Sequence, residues 1–154
     1  MTVALPLQGV KVIEFCQVAA GPFCGLLLAD FGADVIRVER PGGSMFTAAY
    51  NTKLDVLNRN KRCISLDLKS PAAVEVVKKL VSEYDIVLEQ FRPGVMERFG
   101  LGYEAMRALN PRLVYCSITG WGQTGPLADV AAHDLNYQAE SGMLGLTAGV
   151  DGSP

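Results

Sequence analysis

The sequence of 154 residues is 49% hydrophobic and 19% charged, enough apolar material for one globular core, which excludes a disordered or fibrous chain. Its net charge of -2 excludes bulk electrostatic attraction to nucleic acid or to an anionic membrane, so any anion must be held by a local cluster.

The opening stretch, MTVALPLQGVKVIEF, has Pro6, Gln8 and Lys11 among its apolar residues and lacks the layout of a signal peptide. The longest apolar run, 18–29, contains Gly21, Pro22 and Gly25 and is too short to cross a bilayer, so a cytoplasmic protein is expected. Cys16, Cys24, Cys63 and Cys116 show no CxxC spacing, and three of them sit in apolar segments, so they read as reduced core residues.

Along the chain, the β-branched run VKVIEF at 10–15 predicts a strand, followed by a loop over 16–21. Pro22 then opens an apolar helix that Gly32 closes, and DVIRVE at 34–39 predicts a second strand ended by Pro41, Gly42 and Gly43. A polar, irregular stretch over 44–62 precedes a third strand, CISLDL, at 63–68. Ser70 is placed to cap and Pro71 to open a helix on which Val74, Val77, Leu80 and Val81 recur at helical spacing. DIVLE at 85–89 is the fourth strand, two short helices follow at 94–99 and 103–109, and RLVYCSI at 112–118 is the fifth strand. A turn-rich GWGQTGP leads to a last helix over 134–144.

This alternation predicts an α/β fold, a Rossmann-like open and mostly parallel sheet with helices on both faces, and no repeat or linker marks a domain boundary. Ligands of such sheets bind at the carboxyl ends of the strands, so the informative loops follow Phe15, Glu39, Leu68, Glu89 and Ile118. The first of these, QVAAGPFCG, has only Gly21 and Gly25 in place of GxGxxG, and Arg40 directly follows the acidic Glu39, which argues against a nicotinamide dinucleotide. Gly21 and Gly25 instead allow close packing of helix on strand, and the helix-start amides remain available to a phosphate. Arg40, Arg59, Lys61, Arg62 and Lys69 form a cationic set that can converge from neighbouring strand ends on a phosphate, although each alone reads better as a solvated loop residue. His133, the single histidine, stands at the start of a predicted helix, where it can act as acid or base or simply cap the helix. Asp129, Asp134, Glu140 and Asp151 lie close to it in sequence and read as caps and surface charges.

Six segments in series, from LPLQGVKVIEF and QVAAGPFCGLLLADFGADVIRVERPG through NRNKRCISLDLKSP, DIVLEQFRPGVMERFGLGYE and NPRLVYCSITGWGQTGP to AHDLNYQAESG, resemble the N-terminal region of the family III CoA-transferases. That family includes α-methylacyl-CoA racemases and carnitine-type CoA-transferases. The resemblance implies an acyl-coenzyme A thioester as substrate, with no prosthetic group and no metal. It implies coenzyme A contacts from Gln17 and Val18, from Arg40, and from Leu66, Asp67, Leu68 and Lys69, the last four matching the family's adenosine and phosphate contacts. Gln90, Phe91, Arg92 and Arg98 match a further contact region, written QFRPG here where the family usually has NFRPG.

The stretch Ala132, His133, Asp134, Leu135, Asn136, Tyr137 resembles the racemase GHDINY motif, with Ala132 in place of glycine, which implies that His133 accepts the α-proton. The resemblance places the partner aspartate beyond Pro154, as the reprotonating acid in racemases or the acyl-carrying nucleophile in transferases. It also implies an interlocked homodimer and a second, smaller domain. A racemase or epimerase of 2-methylacyl-CoA is the leading expectation. Transfer of CoA between carboxylic acids, and a non-catalytic CoA-binding fragment with exposed apolar surface, stay open.

Overall fold

The computed structural model describes residues 4–43, 56–147 and 149; the expected irregular stretch at 44–55 and the charge at Asp151 lie outside them. Two compact units are present, Met1–Ile118 and Thr119–Pro154. The first contains β1 (Lys11–Phe15), α1 (Ala20–Asp30), β2 (Asp34–Glu39), a 3-10 turn (Val56–Asn58), β3 (Lys61–Ser65), α2 (Pro71–Val81), β4 (Ile86–Glu89), α3 (Val95–Arg98), α4 (Tyr103–Leu109) and β5 (Val114–Ser117). The second contains α5 (Asp134–Glu140) and α6 (Met143–Leu146).

The five strands pair in the order β3-β2-β1-β4-β5, and every pairing is parallel. β1 occupies the centre because it carries apolar residues on both faces, Val12 on one and Ile13 and Phe15 on the other, as a strand covered from both sides must. Alternation sorts them: Ile13 and Phe15 join Ile36, Val38 and Val87 against α2, α3 and α4, through Val77, Val81, Met96 and Met106. Val12 and Cys16 point the other way, with Val35 and Leu88, against Ala29 of α1. The expected helix-covered parallel α/β sheet is therefore present. At the α2 face, Asn110 donates from Nδ2 to the carbonyls of Val81 (3.1 Å) and Tyr84 (2.8 Å), satisfying backbone oxygens where α2 ends.

Several boundaries differ from expectation. β3 runs over Lys61–Ser65 rather than 63–68, because its ladder with β2 spans Val35↔Lys61 to Glu39↔Ser65 and the chain then turns at Asp67. Ser70 occupies the N-cap of α2 in an extended conformation, but its side chain makes no capping hydrogen bond. The predicted helix over 134–144 is broken at Ser141 and Gly142, whose φ of 77° is left-handed and starts a separate turn, α6.

The cysteines also depart from expectation, since only Cys16 is buried; Cys24 is half-buried, while Cys63 and Cys116 are exposed on β3 and β5, the outer strands. Burial pushes the Cys16 thiol up, with the charges of Glu14 and Glu89 adding to it, and burial followed by Glu39 raises Cys63. Alkylation with iodoacetamide at pH 8 should modify Cys116 first, Cys63 and Cys24 more slowly, and Cys16 only after unfolding, as read by mass spectrometry. Labelling of Cys16 at the rate of Cys116 would contradict this packing.

Candidate functional site

The strand order reverses between β1 and β4, so the loops leaving the strands diverge there and leave a crevice at the carboxyl edge of the sheet. A cleft of about 150 Å³ lies at this edge. Phe15 and Gln17 reach it from the exit of β1, and Val38, Glu39 and Arg40 from the exit of β2. Leu66 to Lys69 line it after β3, with Phe91 after β4 and Phe99 after α3.

Local chemistry places these side chains. After β3, Leu66 N–H still donates to Glu39 (2.8 Å), and Asp67 then turns the chain: its carboxylate accepts from Lys69 N–H (3.0 Å) and its carbonyl from Ser70 N–H (2.8 Å). This brings both Leu66 and Lys69 to the cleft. Arg40 donates from Nε to the carbonyl of Gly43 (2.9 Å), which anchors an exposed guanidinium at the mouth. Glu39 is paired with the mostly buried Arg37, whose guanidinium burial opposes but the Glu39 charge keeps ionised. With that carboxylate neutralised, Arg40 and Lys69 are the cations left facing the cleft.

Of the residues expected to bind, Gln17, Arg40, Leu66, Asp67, Leu68, Lys69 and Phe91 are brought together. Val18, Gln90, Arg92 and Arg98 do not line the cleft, but Gln90 Oε1 accepts from Val18 N–H at 3.4 Å, which ties the β1 and β4 exits to each other. Phe15, Val38, Glu39 and Phe99 are outside the set expected to bind coenzyme A; the strand-end position of the first three is the available signal.

The cationic set does not converge as a whole. Arg59, Lys61 and Arg62 lie at the amino end of β3, the edge opposite the cleft, because that strand starts earlier than its apolar residues suggest. Each has its own partner: Arg59 pairs with Asp30 (2.5 Å), Arg62 with Asp34 (2.5 Å), and Lys61 with Glu14 (2.7 Å). The last pair is buried, with side-chain exposures of 1% and 0%. Burial pushes the Glu14 carboxyl up, while the hydrogen bond and charge of Lys61, and the charge of Arg37, oppose it.

In the second unit, His133 is exposed and occupies the N-cap of α5 in an extended conformation. Its backbone N–H donates to Asn136 Oδ1 (2.9 Å), an arrangement that fixes the helix start. Asp134 is bonded to Gln138, and Leu135 is 64% exposed. Tyr137 packs edge-on against Trp121 (4.9 Å between centroids) and donates to the Ala132 carbonyl (3.3 Å). A side chain at Gly120 would overlap the Tyr137 ring, so glycine is required there. Among the described residues no group of acidic, histidine or cysteine side chains is arranged to hold a metal ion, and no helix is long and apolar enough to cross a membrane.

CoA-transferase family III matches residues 7–154. A succinate–glutarate CoA-transferase of Agrobacterium fabrum is 44% identical over 97% of this chain and 41% of its own length. The human α-methylacyl-CoA racemase is 46% identical over 91% of this chain and 35% of its own length. Among solved structures, a Mycobacterium tuberculosis protein superposes with a TM-score of 0.91 at 40% identity, over 98% of this chain and 43% of that one. A CaiB/BaiF family protein from Brucella suis gives 0.88 at 40% identity, over 97% and 42%. The chain thus spans about two fifths of the length of the relatives it matches.

The glycines of the first loop meet the close-packing expectation. A Cβ at Gly21 would lie 2.5 Å from the Cys16 side chain, and one at Gly25 would lie 1.8 Å from Glu14 Oε2. Gly25→Ala should destabilise the protein by about 2 kcal/mol or more in denaturant unfolding, as overpacking against a pinned group does. At Gly145 of α6, where a Cβ would meet nothing, the same change should stay within about 0.5 kcal/mol or stabilise.

Proposed function

Because the chain belongs to CoA-transferase family III, we propose that its strand-end cleft binds the coenzyme A part of an acyl-CoA thioester, and that the protein acts as a 2-methylacyl-CoA racemase or epimerase. The observation that carries the binding reading is the convergence of Arg40 and Lys69 with Gln17 and Leu66 on one cleft of an otherwise acidic protein. Two cations can neutralise phosphate oxygens there, while Phe15, Phe91 and Leu68 supply apolar surface for the uncharged parts of the ligand. Val18, Gln90, Arg92 and Arg98 are assigned to the same ligand outside the cleft proper, on the family resemblance.

Titration with coenzyme A should give a dissociation constant that rises about tenfold for Arg40→Ala and for Lys69→Ala, about 1.4 kcal/mol each, as for a lost charge-assisted hydrogen bond. Arg59→Ala, at the opposite edge of the sheet, should leave it unchanged. Equal weakening by all three would reject the cleft as the site.

For catalysis, the thioester acidifies the α-carbon, the exposed imidazole of His133 takes the proton, and amides at the start of α5 are assigned to the developing enolate oxygen. Ala132, Asp134, Leu135, Asn136 and Tyr137 form the shell of that step on this reading. Exchange of the α-proton of a 2-methylacyl-CoA with deuterated solvent should fall at least about a hundredfold in His133→Ala; undiminished exchange would remove His133 from the mechanism. The second reading, CoA transfer between carboxylic acids through an acyl-aspartate, is favoured by the similarity to the Agrobacterium transferase over nearly the whole chain. An enzyme-bound acyl group trapped by hydroxylamine, with no proton exchange in the absence of an acceptor acid, would decide for transfer.

The protein is further read as a cytoplasmic homodimer. Phe23, Leu27 and Phe31 stand exposed at four-residue spacing along one side of α1, an apolar stripe that suits a covered position. Sedimentation showing only monomer at micromolar concentration would reject the dimer.

A further inference from the structure

We propose that the buried Glu14 and Lys61 ion pair is a positioning device that seats the first turn of α1 on the sheet and thereby holds the loop at 16–19, with Gln17, at the cleft. The inference rests on the coenzyme A reading of that cleft.

Glu14 lies in β1, one residue before Phe15 and three before Gln17. Lys61 begins β3, two strands away across the sheet, and its side chain runs beneath α1. Its ammonium donates to Glu14 Oε2 (2.7 Å) and to the carbonyl of Pro22 in the first turn of α1 (2.8 Å). One buried cation therefore ties together the central strand, an outer strand and the helix that begins where the loop ends. The helix meets this pair closely enough that only glycine fits at position 25, where a Cβ would also lie 3.1 Å from Lys61 Nζ.

Stability alone does not account for the arrangement. Two opposite charges taken out of water are about as well replaced by apolar side chains of the same shape, and Glu14 Oε1 has no hydrogen-bond partner among the described residues. Geometry supplies the missing reason. Ala19, the N-cap of α1, is held at φ 21°, a conformation that residues with a Cβ avoid and that persists only where the surroundings impose it. On the β4 side the loop is tethered by the 3.4 Å contact of Val18 with Gln90. On the α1 side, the Lys61 bond to Pro22 sets where the loop must end.

The test is the double variant Glu14→Gln/Lys61→Met, which keeps both side-chain shapes and removes both charges. In the whole chain, amide hydrogen exchange over 16–19 should be about tenfold faster than in the parent, the scale on which losing a supporting contact loosens a held group, with exchange in β4 unchanged. The coenzyme A dissociation constant should rise about tenfold. Gln17→Ala should weaken binding in the parent but add nothing in the double variant, because the two changes act through one side chain. Unaltered exchange over 16–19, or additive effects of Gln17→Ala, would overturn the proposal. Should the double variant fail to fold, Glu14→Gln alone keeps the shape but removes the carboxylate that anchors the Lys61 ammonium beneath Pro22, and is judged by the same measurements. A parent that binds no coenzyme A overturns the cleft reading, while the exchange comparison still decides this one.

Discussion

Parallel pairing of β1 with β2 on one side and β4 on the other places three strand exits side by side, with that of β3 next in line. Parallel strands all end at the same edge, so every loop leaving them is available to one ligand, and the reversal of strand order at β1 opens space between those loops. The apolar character of β1 on both faces is what keeps it central: moved to the outside of the sheet, Val12, Ile13 and Phe15 would lose cover that only flanking strands and helices on both sides supply. Arg40, Gln17 and the segment from Leu66 to Lys69 belong to one cleft as a consequence of that pairing.

Electrostatics within the sheet are arranged so that the cleft keeps its cations. Glu39 at the end of β2 is engaged by Arg37, and Asp67 is occupied by the turn it makes with Lys69 and Ser70. At the opposite edge, Arg59 and Arg62 are matched by Asp30 and Asp34. A chain of net charge -2 can thus present a positive site without a basic surface, because pairing is local and Arg40 and Lys69, at the strand exits, are not among the paired cations of the described residues.

Family membership rests on a match that runs over nearly the whole chain, and it agrees with an architecture derived from strand pairing alone. The relatives differ in reaction, some named as transferases and some as racemases, on one fold. That is the ordinary relation of fold to chemistry: one sheet can serve several reactions, and the reacting groups decide which is carried out.

Much of this is legible in the sequence. Periodicity and punctuation are local properties, so β2 was found with its true ends, β1 and β4 to within a residue, and the helix opened by Pro71 in its place. The loops that would carry a ligand followed from the βα alternation, and Arg40 and Lys69 from their places beside strand ends. Tertiary pairing decided the remainder. The register of β3 on β2 moved that strand toward Lys61, which separated Arg59, Lys61 and Arg62 from the cleft although they are near Lys69 in sequence. Cys63 and Cys116 lie in apolar runs but on the outer strands, where one side is open. The ion pair of Glu14 with Lys61 joins residues 47 positions apart across an intervening strand, and no local pattern announces it. Hydrophobic spacing determines which face a residue takes within its own element; which elements become neighbours, and hence which charges meet, is set by long-range packing that the linear order does not encode.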